Sequence, residues 1–319
     1  MVYLPMQDEQ FLNNVIGQDA VKDRIKIYVD SFNETGEFPP VLLKAAKGSG
    51  KTLFAREVTK QLERSNSNVP FIEVNCATVK NAGDFLLQIY PQWKALGAML
   101  FLDECHNLPI KLQELLLSIC ETSKQKVRKV TFNHREEGEV EYEFDFSEMS
   151  IMFATTDHHK MLSPLLDRLT GVSIAPYTEE NLWDIFLLNL KCDTSSEIKA
   201  EILRSFRGHP RHCVSLANEL DRFASAKKVT YINGGLWDQF CKVMGIFESG
   251  LEEPELAILK VLGSQGSCSL TALAAKTGYS RGVIKGEYEL GLMQKGLMDI
   301  EGERKLTRKG NEYFLKHCC

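Results

Sequence analysis

The sequence predicts an α/β protein: a parallel sheet with helices between its strands, then an all-helical block, then a helix-rich end closed by a short β-hairpin. Three observations carry this. From about residue 2 to 175, short apolar runs alternate with helix-length segments, the pattern of strands that need long crossovers and therefore pair in parallel. From 176 to about 247 no run reads as a strand. Beyond that, helices give way to two short strands around Glu301-Gly302-Glu303.

Taken in order, strands are expected at 41–43, 71–74, 98–102 and 150–154, with helices at 51–65 and 112–123 between them. An excursion at 126–146 breaks the helical pattern. Its two β-rich runs, 127–132 and 140–144, are joined by 133–139 with Gly138 at the turn, which predicts a projecting hairpin. Helices follow at 179–190, 195–206, 211–226 and 236–243, enough for a small lid. Helices at 254–262, 269–277 and 280–295 then precede strands at 297–300 and 304–307. Three helices followed by a two-stranded wing form a winged helix, a helix-turn-helix variant. The domains expected are therefore 1–175, 176–247 and 248–319. No internal repeat or low-complexity tract is present.

Two segments fifty residues apart carry the chemistry. Ala45-Ala46-Lys47-Gly48-Ser49-Gly50-Lys51-Thr52 follows the first strand and opens a helix that continues through Leu53. Gly48 and Gly50 let backbone N–H groups point at phosphates, and the helix behind them adds its positive end. Lys51 supplies a charge for the β- and γ-phosphates, and the Thr52 hydroxyl can reach a magnesium ion. Met99-Leu100-Phe101-Leu102-Asp103-Glu104 reads as a buried strand ending in two carboxylates, Asp103 to hold the magnesium and Glu104 to activate water. In this order and at this spacing the two imply ATP hydrolysis with Mg2+. One departure stands at Ala45, where the loop pattern begins with Gly. An Ala forced to positive φ costs on the order of 1 kcal/mol, so either the loop bends differently or the site is weakened.

The bulk numbers set limits. The 319 residues suffice for two or three domains. They are 44% hydrophobic and 25% charged, with a net charge of −5, so no global basic field announces nucleic acid, although a local stripe is enough. No apolar stretch approaches the roughly 18 to 20 residues of a membrane span, and the first ten residues lack a signal-peptide pattern. The nine cysteines show no C-x-x-C spacing, which argues against zinc and for reduced thiols in a cytoplasm. The terminal Cys318-Cys319 reads as a frayed end rather than a lipidation site.

On these and further residues the chain resembles the RuvB family, hexameric AAA+ motors that drive branch migration of Holliday junctions. Val15-Ile16-Gly17-Gln18-Asp19-Ala20-Val21-Lys22 is similar to that family's adenine-pocket segment, and Leu102-Asp103-Glu104-Cys105-His106-Asn107-Leu108 to its carboxylate strand. Ala154-Thr155-Thr156 resembles sensor 1, Ser163-Pro164-Leu165-Leu166-Asp167-Arg168-Leu169 the arginine-finger segment, and Tyr177-Thr178-Glu179-Glu180-Asn181-Leu182 the start of the lid. Arg207-Gly208-His209-Pro210-Arg211 resembles the entry to the sensor 2 helix, and Gly291-Leu292-Met293-Gln294-Lys295-Gly296-Leu297 lies in the matching winged helix. The resemblance implies an AAA+ P-loop core with a helical lid and a C-terminal winged helix. It implies that Val15, Ile16, Tyr177 and Pro210 border the nucleotide, and that Thr156 bonds the attacking water or γ-phosphate. It also implies that Arg211 touches the nucleotide from the lid and that Arg168 acts in trans, which requires a homo-oligomer, a ring of six.

Departures are visible too. The family's extra arginine two residues before the finger is Leu166 here. The family's hairpin presents apolar residues to RuvA, whereas this tip reads Asn133-His134-Arg135-Glu136-Glu137-Gly138-Glu139, either a solvated loop or a docking site for another partner. For DNA, Arg281 and Lys285 share one face of the third winged-helix helix, while Arg304, Lys305, Arg308 and Lys309 cluster on the wing and its exit. Such charges neutralise phosphates without reading sequence, although Glu287, Glu289, Glu301 and Glu303 are interleaved. Val127-Arg128-Lys129 is a second DNA candidate. Three functions remain open on this footing: a DNA-translocating motor, a loader of a clamp or replicative helicase, and a scaffold with a degenerate site. The expected setting is a bacterial cytoplasm, and the short chain and altered hairpin would also suit a phage-encoded relative.

Overall fold

The computed structural model describes residues 11–64, 67–89, 97–121, 129–134, 140–206 and 208–318. They fall into two compact units, Met1–Pro176 and Tyr177–Cys319.

The first unit is built on a five-stranded sheet. Its strands lie in the order Phe71–Asn75, Met99–Asp103, Ser150–Thr155, Val41–Lys44, Thr170–Ser173, and every neighbouring pair is parallel. The interior strands are buried along nearly their whole length, as in sheets covered on both faces: Ser150–Thr155 is buried at all six positions and Met99–Asp103 at its first four. The four expected strands are present, each a residue or so longer at its carboxyl end or shifted by one. The edge strand Thr170–Ser173 and the helix Asp19–Thr35 were not foreseen. The strand is too short to show alternation, whereas Ile25, Val29 and Phe32 give the helix an apolar stripe at helical spacing.

Between the strands, Lys51–Lys60 and Ile110–Ile119 are helices of 10 residues each. The first ends earlier than expected, and Glu63–Arg64 pairs with Ser67–Asn68 instead. Lys129–His134 and Val140–Asp145 pair antiparallel as the expected hairpin, anchored at its root by Phe144 and Phe146, each 1% exposed in the main core. The tip at 135–139, and Val127 and Arg128, lie outside the described residues.

The second unit begins with four helices, Glu179–Asn189, Lys199–Ser205, Pro210–Lys227 and Gly234–Met244. Two-residue strands add to them where only helix was expected: Asp193–Thr194 pairs with Tyr231–Ile232, and Ile246–Phe247 with Leu251–Glu252. The remainder has its own core, centred on Leu251, Leu259, Leu273, Ile284 and Leu292. Helix Glu253–Gln265 opens with a capping box between Glu252 and Glu255, and Leu270–Thr277 is capped by Ser269. The expected third helix is divided into Arg281–Val283, a π turn at Ile284–Tyr288, and Glu289–Gln294. The wing is Met298–Glu301 against Glu303–Leu306, turning at Gly302 with φ 75°. A third strand, Ser267–Cys268, pairs on the wing's open side. After the wing the chain forms another helix, Arg308–His317, capped by Thr307; its Tyr313 hydroxyl donates to the Glu248 carbonyl at 2.8 Å. Its cap, the Thr307 hydroxyl accepting from the Gly310 N–H at 3.0 Å, starts a helix where the sequence suggests only the exit of the wing.

Among the described residues no helix is long and apolar enough to cross a membrane, and no cluster of His, Cys, Asp and Glu would hold a metal ion on its own.

Candidate active site

The loop 45–50 leaves the strand Val41–Lys44 at its carboxyl end, between the ends of Ser150–Thr155 and Thr170–Ser173. In open α/β sheets this is where ligands sit. Ala45 continues the strand's hydrogen bonding, its N–H donating to the Thr155 carbonyl at 3.2 Å, and it is not among the residues with positive φ. The left-handed turns fall instead on Gly48 (φ 77°) and Gly50 (φ 87°), where no Cβ opposes them. The strain expected at Ala45 is therefore absent: the loop makes its turn later, at residues that accept it freely.

Lys51 opens the following helix and is only 6% exposed. Its ammonium lies 3.5 Å from the Ala46 carbonyl and 3.7 Å from Glu104 Oε1. Both contacts are long for a buried cation, which normally takes charge-assisted bonds well under 3 Å. An anion between the glycine-rich loop and the carboxylate strand would complete its shell. Thr52 is half-buried beside it, and Leu53 is 47% exposed, so it presents an apolar surface at the site's margin.

The Met99–Asp103 strand delivers Asp103, half-buried, and then Glu104, whose backbone sits in the left-handed region at φ 51° and ψ 44°. A non-glycine residue there costs about 1 kcal/mol and turns the Glu104 side chain back toward the sheet end. Three groups meet that carboxylate: Lys51 Nζ at 3.7 Å, the Thr156 hydroxyl donating at 3.2 Å, and His106 Nδ1 at 3.3 Å from Oε2. His106 also contacts the Thr155 hydroxyl at 3.0 Å, so one ring bridges the strand end and the acid. Burial first, and the Glu104 charge second, push the Asp103 carboxyl above its ordinary range, with Lys51 pulling it partly back. A hydroxyl and a carboxylate are the hard oxygen donors that magnesium takes, so Thr52 and Asp103 fit that ion, and the half-satisfied Lys51 fits a phosphate.

The other expected residues of this unit are Val15, Ile16 and Arg168. Val15 is 5% exposed and Ile16 half-buried. Next to them Gln18, not singled out from sequence, clamps the Ala175 backbone in both directions: its amide donates to the carbonyl at 2.9 Å and accepts from the N–H at 2.9 Å. Arg168 follows the short helix Ser163–Leu166, and its guanidinium is bonded to Glu121 and to the Pro164 carbonyl. In the second unit, Pro210 is the first residue of Pro210–Lys227 with exposed Arg211 next to it, and Tyr177 is half-buried. Arg207 lies outside the described residues.

The cations expected to meet DNA separate into two kinds. Arg281 and Lys285 are exposed. Lys305 and Arg308 reach solvent while pairing with Glu301 on the other strand of the wing and with Glu312 on the same helix, at 2.5 and 3.2 Å. Arg304 departs from expectation. Its Nε lies 2.8 Å from Glu289, and the two side chains are 14% and 6% exposed, so Arg304 joins the wing to the third helix and is a structural residue. Its pairing also removes Glu289 from the acidic groups interleaved on that surface.

A buried ammonium facing the acid of a strand two places away in the sheet, with a threonine at the end of the strand between them bonding that acid, defines a P-loop ATPase. Comparison with known proteins narrows the class. A family model, the Holliday junction DNA helicase RuvB P-loop domain, matches residues 8–174, and the chain belongs to this family of AAA+ DNA motors. Over most of its length it is similar to the Holliday junction branch migration complex subunit RuvB of Enterococcus faecalis, 28% identical over 91% of this chain and 85% of that one. The same subunit from Streptococcus pneumoniae is 28% identical over 96% of this chain and 91% of that one. Two solved structures share the fold: the Thermotoga maritima RuvB Holliday junction branch migration motor, with a TM-score of 0.71 at 24% identity over 95% of this chain and 96% of that one, and a point mutant of it with 0.73 at 24% identity over 95% and 97%.

Proposed function

We propose that this protein is an oligomeric ATP-driven motor that moves or remodels branched DNA, Holliday junctions among its substrates. The observation that carries the reading is Glu104, held by Thr156 and His106 and facing Lys51 at the mouth of the glycine-rich loop. Glu104 accepts the proton of the water that attacks the γ-phosphorus, and Thr156 fixes the carboxylate for that transfer. Lys51 and the N–H groups around Gly48 and Gly50 take up charge on the phosphate oxygens. Thr52 and Asp103 would hold Mg2+, which would supply Lewis-acid neutralisation of those oxygens. Val15 and Ile16 border the base, and Ser49 and Leu53 line the phosphate loop; Tyr177, Pro210 and Arg211 are assigned to the nucleotide by the family resemblance alone. Arg168 completes the site of the next subunit in a homo-oligomeric ring, six by analogy with the family.

DNA contact is assigned to Arg281 and Lys285, with Lys305 and Arg308 on the wing side, through phosphates rather than bases. The hairpin Lys129–His134 and Val140–Asp145 would carry a protein partner. The relatives named are bacterial, which supports a cytoplasmic setting and lends nothing to a phage origin. The loader reading rests on Leu166 and on a hairpin tip outside the described residues, and the relatives favour the motor.

The test is ATP hydrolysis with no DNA, single strand, duplex, fork and four-way junction. Turnover should rise with duplex or junction DNA, and Glu104→Gln should lose it while still binding ATP. Arg168→Ala should lose roughly 10³-fold or more in kcat, the range for trans-acting arginines. Turnover that stays low on every DNA but rises with an added clamp or helicase would favour the loader.

A further inference from the structure

Arg168 does not hang free at the end of a loop. It sits between Leu165 and Leu169, which are 0% and 8% exposed, so its backbone is pinned to the core on both sides. Its Nε and Nη2 both donate to Oε2 of Glu121, at 2.8 and 2.6 Å, and Nη1 donates to the Pro164 carbonyl at 2.9 Å. Of the five guanidinium N–H groups, three are thereby fixed and two remain, one on each terminal nitrogen. The pair is 31% and 28% exposed, so the guanidinium is held while still within reach of solvent.

Glu121 is as firmly placed as its partner. It follows Ile119 and Cys120, each 3% exposed, at the end of the helix Ile110–Ile119. That helix begins six residues beyond Glu104 and extends about 15 Å at the usual rise. It is tied a second time to the finger segment: the Gln113 carboxamide, 2% exposed, accepts from the Leu162 N–H at 2.8 Å and donates to the Leu108 carbonyl at 2.9 Å. One helix, tied to the finger segment at Gln113 and through Glu121, thus lies between the strand end that carries Glu104 and Arg168.

We infer that Glu121 is a positioning residue for Arg168: it holds the guanidinium in the orientation in which its two remaining donors meet the phosphates bound by the adjacent subunit. This rests on the reading of Arg168 as a group acting in trans. A mobile arginine side chain would have to be ordered at each turnover, whereas one carboxylate oxygen that takes both Nε and Nη2, on a fixed backbone, orders it beforehand. The carboxylate takes Nε and one hydrogen of Nη2, so its charge orients the group and leaves one hydrogen on each terminal nitrogen.

The test uses the full chain as Glu121→Ala, Glu121→Gln and Arg168→Ala, each compared with Glu104→Gln in mixed oligomers. Glu121→Ala should lower kcat by about 10- to 100-fold, the range for a misplaced catalytic group, with the KM for ATP within about twofold. Glu121→Gln, which keeps one acceptor oxygen, should recover part of the loss. Thermal midpoints near that of the unaltered protein report that folding is intact. Glu104→Gln subunits carry a sound arginine, and Glu121→Ala subunits carry a sound hydrolytic acid. Mixed together they should hydrolyse ATP faster than the sum of the two alone, because the defect of one lies in its neighbour's site. If Arg168→Ala complements Glu104→Gln but Glu121→Ala does not, or if Glu121→Ala keeps or raises kcat, the positioning role is overturned while the trans reading stands. If Arg168→Ala itself turns over normally, the trans reading falls and takes this role with it.

Discussion

At the scale of single residues, the site depends on where the backbone accepts strain. Glu104 occupies a left-handed conformation that its side chain does not favour, while Ala45, at the first position of the loop pattern, does not. The difference lies in hydrogen bonding. Ala45 extends the sheet by its bond to Thr155, whereas Glu104 leaves the sheet at once, its N–H satisfied by Asp103 Oδ1 at 3.0 Å. Such local strain is characteristic of catalytic positions. It follows that Ala45→Gly should change ATP affinity by no more than about threefold, roughly 0.6 kcal/mol, as read by titration calorimetry. A gain of tenfold or more would mean that the Ala methyl does obstruct the loop. His106 was legible only as part of a motif, and its bridge between Thr155 and Glu104 depends on two strands meeting in register, information that no single segment carries. Glu121 had no sequence signal at all, because its partner lies 47 residues away.

At the scale of elements, the winged helix shows charge sorted by burial. Arg281 and Arg304 look alike in the sequence, each a basic residue among acids. Packing separates them: Arg281 stands at an exposed helix start, and Arg304 faces Glu289 across the gap between wing and helix. Removing one partner of a buried pair leaves an uncompensated charge and typically costs 3–5 kcal/mol. Arg304→Ala should therefore destabilise the second unit by about 3 kcal/mol in denaturant unfolding, whereas Arg281→Ala should stay within about 0.5 kcal/mol of the parent. Equal effects at the two positions would contradict the division into structural and solvent-facing cations. The π turn at Ile284–Tyr288 belongs to the same theme. It interrupts what the sequence presents as one continuous helix, and with Lys285 in the turn the periodicity that put Arg281 and Lys285 on a common face is altered locally.

At the scale of the whole molecule, a net charge of −5 and a DNA-directed function are compatible because phosphate contact needs only a local set of unneutralised cations. If Arg281 and Lys285 each meet one phosphate, the double substitution Arg281→Ala/Lys285→Ala should reduce the slope of log K against log[salt] by about 1.8 for duplex DNA. Fluorescence anisotropy across a salt series measures this, and an unchanged slope would move the DNA contact elsewhere. The junction between the lid helices and the winged helix is close-packed within the second unit. Lys295 donates to the carbonyls of Arg204 and Ser249 at 2.5 and 2.8 Å. At Gly250, with φ 68°, an added Cβ would come within 2.4 Å of the Arg204 carbonyl. Glu248 adds an ion pair to Lys316, whose hydrogen bond holds the Glu248 carboxyl below its ordinary range.

The sequence by itself determined the class of this protein. Phosphate binding and water activation demand particular residue types at short, fixed spacings, and Gly48, Gly50, Lys51, Asp103 and Glu104 announce themselves within two segments. Alternation of apolar runs likewise determined the parallel sheet, since strands buried on both faces have few other solutions. Tertiary structure alone decided which charges are spent and which are free. Arg168 is held by Glu121, Arg304 is consumed by Glu289, and Glu104 is gathered in by Thr156 and His106. An ion pair forms wherever folding brings opposite charges within reach, and that separation in space is set by the packing of whole elements, not by the order of residues along any one of them.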